Sequence, residues 1–345
     1  MKRVILSVTM GGLRTAQTIK QELGGDLFTL EKYCHGNDLR PITGTLKDFM
    51  AGIFQDYREI VMVMSCGIAV RSIAPYLNSK LTDPAVVVLD EKGNFSISLL
   101  SGHIGGANEL AQNIALITKG QAVITTASDN LGLESVDMIA KKYQLYMDDL
   151  EQVKRVTATL VNGKRVVLVN DSSLNMEVVS IDTLELKKID QEMPDALIYV
   201  GNKDELGLHN NSIPIAKLRL RNLVLGMGCK KDMDGAKLEE AVRTFFRQQN
   251  ISLTALKAIA TVDVKKEEPA ILSLAEKMSL PVHIVDRSEI APIEHRFPCS
   301  NFVKKTIGVG CVAEPAAYLV SKEGRLVVPK TAFDGITLCL YEEKR

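Results

Sequence analysis

The sequence of 345 residues has no surplus of charge of either sign, since Lys plus Arg and Asp plus Glu each number 42. Proteins that grip a phosphate backbone normally carry excess cations, so nucleic acid is not an expected partner. No run approaches the roughly 20 consecutive apolar residues that cross a bilayer, and no membrane role is expected. The opening stretch MKRVILSVTMGGLR is apolar only briefly before its glycines. It is too short for a secretory core and reads as a first β-strand, which points to a cytoplasmic protein. The six cysteines are Cys34, Cys66, Cys229, Cys299, Cys311 and Cys339, and none stands in a Cys-x-x-Cys pair. No histidine lies at ligand spacing from any of them except the adjacent Cys34 and His35. Reduced, mostly buried thiols are therefore expected, and a metal site of the protein's own is not. A P-loop lysine motif, a full G-x-G-x-x-G fingerprint and a G-x-S-x-G elbow are all missing, which weakens the nucleotide-dependent and serine-esterase readings.

What is present is ordinary globular composition, 46% apolar and 24% charged, in a length that suits two or three domains. Short apolar strands alternate with helical patterns, the mark of an α/β protein. The expected fold is α/β, with N-terminal and C-terminal three-layer units of mostly parallel sheet joined by a small α+β middle region. The boundaries are 1–146, 147–221 and 222–345. In the first region, strands are expected at 3–8, 60–64, 85–89, 95–99 and 122–126. Residues 90–94 read as a hairpin turn. The middle has short β-like runs at 165–169 and 196–200, many Asp, Asn and Ser residues, and little helical periodicity. In the last region a strand at 223–225 ends at Gly226. Further strands follow at 258–261 and 282–285, with helices at 235–249, 267–278 and 312–321.

In open parallel sheets ligands bind beyond the carboxyl ends of strands, where loops lead into helix N-termini. Thr9-Met10-Gly11-Gly12-Leu13-Arg14 is one such junction, with glycines that permit close approach and amides free for an anion. Ser65-Cys66-Gly67 leads to Arg71, either a bidentate carboxylate anchor or a solvent-facing helix charge. The richest junction is Ser101-Gly102-His103-Ile104-Gly105-Gly106-Ala107-Asn108-Glu109. One of only five histidines stands there among three glycines, which leave its ring without close neighbours and favour a functional His103. Glu109 either orients that ring or is a helix-start charge. The last region offers Gly226-Met227-Gly228-Cys229-Lys230-Lys231, then Ala260-Thr261-Val262-Asp263-Val264-Lys265, then Gly308-Val309-Gly310-Cys311-Val312-Ala313-Glu314. Each turn alone is weak, but three in one domain suggest one shared cleft.

Taken in order, these segments resemble the CbiG family of cobalamin biosynthesis. The resemblance is carried by Cys66 to Arg71, Asp83 to Asp90 and Leu100 to Ala111, then by Gly226 to Cys229, Ala260 to Asp263 with Lys265 and Glu268, and Gly308 to Glu314. It covers about 1–145 and 222–345 well and the middle loosely. Lys230-Lys231-Asp232 stands where the family commonly has Arg and a Gly-containing segment. Cys311 stands where Pro or a small residue is expected.

The resemblance implies opening of the δ-lactone of cobalt-precorrin-5A, an anionic tetrapyrrole, and release of acetaldehyde to give cobalt-precorrin-5B. That chemistry needs a base, donors for the oxyanion at the lactone carbonyl, and cations for the acetate and propionate chains. His103 is the expected base, with Glu109 orienting it and Ser101 and the amides near Gly105 and Gly106 as oxyanion donors. Arg14, Arg71, Lys231 and Lys265 are the expected anchors. Gly11, Gly67, Gly102, Asn108, Gly228, Thr261, Asp263 and Glu314 complete the substrate contacts. No separate cofactor is expected, because the substrate carries its own cobalt and conjugated ring. Transient contact with neighbouring pathway enzymes is a further expectation. The alternative reading is a non-catalytic corrinoid carrier.

Overall fold

The computed structural model describes residues 2–35, 39–79, 82–126, 133–178, 180–209 and 212–344. The chain divides near Lys141 into two compact units.

The first unit is built on β1 (Arg3–Ser7), α1 (Met10–Leu23), β2 (Asp26–Leu30), β3 (Arg40–Ile42), α2 (Leu46–Ile53), β4 (Glu59–Val63) and α3 (Cys66–Ile73). It continues with β5 (Ala85–Leu89), β6 (Phe95–Leu100), α4 (Ala107–Thr118), β7 (Gln121–Val123) and α5 (Val136–Lys142). The sheet order is β3-β2-β1-β4-β5-β6-β7. Alternation along the central strands sends side chains to opposite faces. Val61 and Val63 pack with Leu13 and Ile19 of α1 and Leu110 of α4, while Ile60 and Met62 pack with Met50 of α2, Phe54 at its C-cap and Ile73 of α3. Both faces are therefore covered, which explains why these strands read as unbroken apolar runs. The hairpin at 90–94 forms as its residues require. Asp90 accepts from the amides of Lys92 and Phe95, and Gly93 takes a φ of 73°. β6 consequently runs antiparallel to β5, and β7 is parallel to β6.

The second unit holds two sheets. The first contains β8 (Tyr146–Met147), β9 (Val166–Asn170), β10 (Asp182–Thr183), β11 (Ala196–Val200) and β12 (Ile215–Arg219), in the order β10-β9-β11-β12-β8. All pairs are parallel except β12 with β8. The expected lack of helix here is corrected by α6 (Leu150–Val161), which buries Val153, Val156 and Leu160. Those apolar positions fall three and four apart, but Thr and charged residues between them mask the stripe. α7 (Ile189–Glu192) adds one turn. Arg219 is fully buried. Its Nε bonds Asp148 at 2.6 Å and its Nη1 bonds the carbonyls of Gly201 and Lys203, each at 2.7 Å.

The last sheet contains β13 (Leu223–Cys229), β14 (Leu256–Val262), β15 (Val282–Val285), β16 (Arg325–Phe333) and β17 (Ile336–Glu342), in the order β15-β14-β13-β17-β16. α8 (Gly235–Gln249) and α9 (Pro269–Lys277) cover one face, and α12 (Ala313–Val320) covers the other, after the short helices α10 (Arg287–Ile290) and α11 (Asn301–Ile307). The strand expected to stop at Gly226 runs on to Cys229, because β17 pairs with it along its whole length. Gly226 is a packing residue instead: a Cβ there would meet Ala317 Cβ at 2.8 Å, so only glycine lets α12 lie this close.

Candidate functional site

The first sheet reverses its winding between β1 and β4, with α1 on one face and α3 on the other. The loops beyond such a switch point form a natural crevice. Thr9 caps α1 by accepting from the Gly12 amide at 3.0 Å, so Gly11 and Gly12 lie within the first helical turn rather than in a loop. Arg14 is exposed. Arg71 is also exposed and turns back to its own helix, with Nη1 at 3.2 Å from the Gly67 carbonyl. Gly11, Arg14, Gly67 and Arg71 thus share the carboxyl edge of β1 and β4.

The His103 loop does not join them. Because β6 is antiparallel to β5, with Leu100 opposite Val86, the loop leaves at the other edge of the sheet. At about 3.3 Å per residue, a strand of five residues separates the two edges by roughly 16 Å. What the loop does meet is local. The Ser101 carbonyl accepts from the Ala107 amide at 3.2 Å and the Gly102 carbonyl from the Asn108 amide at 3.0 Å. Ser101 has a φ of 56°, and a Cβ on Gly105 would stand 2.7 Å from the Ser101 carbonyl oxygen. Asn108 points inward, with Ser98 Oγ on its Oδ1 at 2.6 Å and its Nδ2 on Thr126 Oγ1 at 3.0 Å. The Lys141 ammonium bonds the His103 carbonyl at 3.1 Å. The Ser101 hydroxyl is buried and makes no hydrogen bond among the described residues. His103 is half-buried. Glu109 is exposed in the first turn of α4, and no hydrogen bond among the described residues joins it to His103.

In the second unit the three suspected turns do converge. β13 and β14 are parallel, so their carboxyl ends open on one edge, and β17 starts there with Thr337 opposite Gly228. A cavity of about 620 Å³ lies at this edge, bordered by Gly228 to Lys231, Val262, Val264 and Lys265, α11, Gly310 to Ala313, and Lys330. Of the expected contacts, Gly228, Lys231 and Lys265 line it. Thr261, Asp263 and Glu314 do not line it. Thr261 is fully buried and donates to the Met227 carbonyl at 2.9 Å, while Asp263 is paired with Arg287 at 3.0 Å. Glu314 is buried and accepts from the Lys330 amide at 3.0 Å, tying α12 to β16, and its second carboxylate oxygen makes no bond among the described residues.

Lys265 is not a free cation, since it lies 2.8 Å from Glu268 and both are largely buried. Burial opposes the Glu268 carboxylate, but the Lys265 ammonium and the Met233 amide outweigh it and hold its pKa below the usual range. Lys230, Lys231 and Lys330 have no carboxylate partner among the described residues, so the cavity margin is net positive. Between the lysines the wall is mostly apolar, with Val262, Val264, Phe302, Val303 and Ile307. Burial pushes the Cys229 thiol up to about 11, which keeps it neutral at physiological pH.

Three family models match this chain: cobalamin synthesis G N-terminal over residues 48–129, the cobalamin biosynthesis central region over 134–221 and the cobalamin synthesis G C-terminus over 223–341. A cobalt-precorrin-5A hydrolase from Salmonella typhimurium is 36% identical over 341 residues, covering 97% of this chain and 96% of that protein. The chain belongs to the CbiG family. A cobalt-precorrin-5A hydrolase from Priestia megaterium is 29% identical over 97% of this chain and 93% of its own length. A Methanocaldococcus jannaschii relative is 30% identical over 99% of this chain and 95% of its own.

The two positions expected to depart from the family pattern, Lys230 and Cys311, both border the cavity. Sequence reasoning missed Lys330, Phe302 and Thr306 as lining residues. Lys330 sits in an exposed edge strand, and α11 is marked only at its end, where Gly308 caps it with a φ of 88°. Apart from the alternation of Lys330 with apolar neighbours in β16, nothing local singles them out.

Proposed function

We propose that this chain is a cobalt-precorrin-5A hydrolase. The observation that carries the reading is the 36% identity over nearly the full length of both chains to a protein of that name. The cavity supports it chemically. Its volume is in the range of small-molecule sites, roughly 300–1,000 Å³, and a mostly apolar wall bounded by lysines suits a conjugated ring edged with carboxylates. Lys230, Lys231 and Lys330 are the cations that would meet acetate and propionate chains.

For the lactone, His103 is the proposed base, drawing a proton from water as it attacks the carbonyl carbon. Gly105 and Gly106 stand where a chain turns into α4, and their amides are offered to the developing oxyanion together with the Ser101 hydroxyl. Collapse breaks the bond from the acyl carbon to the ring oxygen, leaving a ring-A acetate and a free alcohol. That alcohol then loses its proton, the two-carbon unit departs as acetaldehyde, and the electron pair passes into the conjugated macrocycle with its cobalt.

The test is to incubate the protein with cobalt-precorrin-5A and assay acetaldehyde. One equivalent released per substrate consumed is the expected result. Binding of the corrinoid with no acetaldehyde would favour a carrier.

A further inference from the structure

Two cysteines, one in the cavity wall and one beside it, stand apart from the chemistry above. Cys311 is 4% exposed and lines the cavity, whereas Cys299 is exposed. Their sulfurs are 3.5 Å apart. The backbone between them holds that approach, because the Ser300 amide bonds the Gly310 carbonyl at 2.7 Å. Glu294 braces the same corner: its side chain takes the Gly310 amide at 2.7 Å and its carbonyl takes the Cys299 thiol at 3.4 Å. A bond requires the sulfurs to close by about 1.5 Å, which side-chain rotation supplies.

We propose that Cys299 and Cys311 form a dithiol that low-molecular-weight disulfides oxidise to an intrachain disulfide, clasping α11 at the cavity wall. The order of steps follows from exposure. The Cys299 thiolate attacks oxidised glutathione and releases one glutathione thiolate. Cys311 then loses its proton and attacks Cys299 Sγ, releasing the second glutathione. Two protein thiols are oxidised and one glutathione disulfide is reduced to two thiols. Burial and the neighbouring thiol push Cys311 up to about 12, which makes it the slow, resolving partner. The enclosed segment carries Phe302 and Thr306 of the wall, together with the exposed Lys304 and Lys305. Closing it restrains both the wall and the site where trypsin cuts.

The experiment treats the full-length protein with oxidised glutathione, quenches with acid and maps tryptic peptides without reduction. Cleavage after Lys304 and Lys305 places the two cysteines on different peptides. The expected result is a linked pair, an intact chain lighter by two hydrogens, and slower trypsin cleavage at Lys304 and Lys305. Cys299→Ser, an exposed change, abolishes the link, and Cys311→Ser stops Cys299 at a stable glutathione adduct. The proposal is overturned if wild-type Cys299 accumulates as the adduct while Cys311 remains a thiol. It is equally overturned if linkage is no more frequent than to the exposed Cys66, or if trypsin cleavage keeps its rate after the link forms.

Discussion

The two units started from the same kind of signal, three glycine-bearing turns each, and the folds dispose of them differently. In the second unit β13 and β14 are parallel, so the turns that end them meet at one edge and enclose a cavity. In the first unit the hairpin between β5 and β6 reverses direction, and the His103 turn leaves by the edge opposite Gly11 and Gly67. A glycine turn tells where a chain bends. Strand direction decides which bends become neighbours.

Several changes press on this contrast, beginning with the largest effect. His103→Ala should lower the rate of acetaldehyde release by about 10²–10⁴-fold, the usual worth of a general base. Glu109→Ala should change it by less than about tenfold, since that exposed carboxylate makes no bond to the ring among the described residues. Equal losses from the two would join Glu109 to the chemistry despite its position. Next, Asp148→Ala strands the buried Arg219 guanidinium and should cost about 3–5 kcal/mol by urea denaturation. A loss under 1 kcal/mol would mean that water reaches the arginine (Born cost avoided). Lys231→Glu and Lys330→Glu should each weaken corrinoid binding between about threefold and tenfold, with the difference shrinking as salt rises. Undiminished binding would move the ligand away from the second unit's cavity.

The smallest effect concerns pH. The folded pKa of Glu268 is below that of an unfolded carboxylate, so the unfolded chain binds more protons in that window. The pair with Lys265 therefore stabilises fully above the ordinary carboxylate range, and its contribution is lost as pH falls through the lowered folded value. Urea midpoints measured from neutral pH downward should drop more for wild type than for Glu268→Gln. Parallel curves would contradict the assignment.

Much of this architecture was legible beforehand. Runs such as residues 60–64 and 85–89 are apolar at every position because their strands are covered on both faces, and the Asp90 to Asn94 turn announced its hairpin. That hairpin also contained the news that the His103 loop lies on the far edge, since a strand reversed at 90–94 must end beside the start of its partner at Val86. α6 was hidden because its buried face, Val153, Val156 and Leu160, is only three residues wide among polar ones. Lys265 was expected to anchor a substrate carboxylate, yet it pairs with Glu268 three residues on, and whether a lysine meets a ligand or a carboxylate depends on burial, which spacing does not report. Lys330 and Phe302 reach the cavity only through long-range folding, across β16 and α11, and no local pattern encodes that.

The central claim is that water opens the lactone at its carbonyl carbon. A single turnover in oxygen-18-enriched water tests it most directly. One heavy oxygen in a carboxylate of the cobalt-precorrin-5B formed, alongside release of acetaldehyde, is the predicted result. Cobalt-precorrin-5B formed with acetaldehyde but without the heavy oxygen would contradict it.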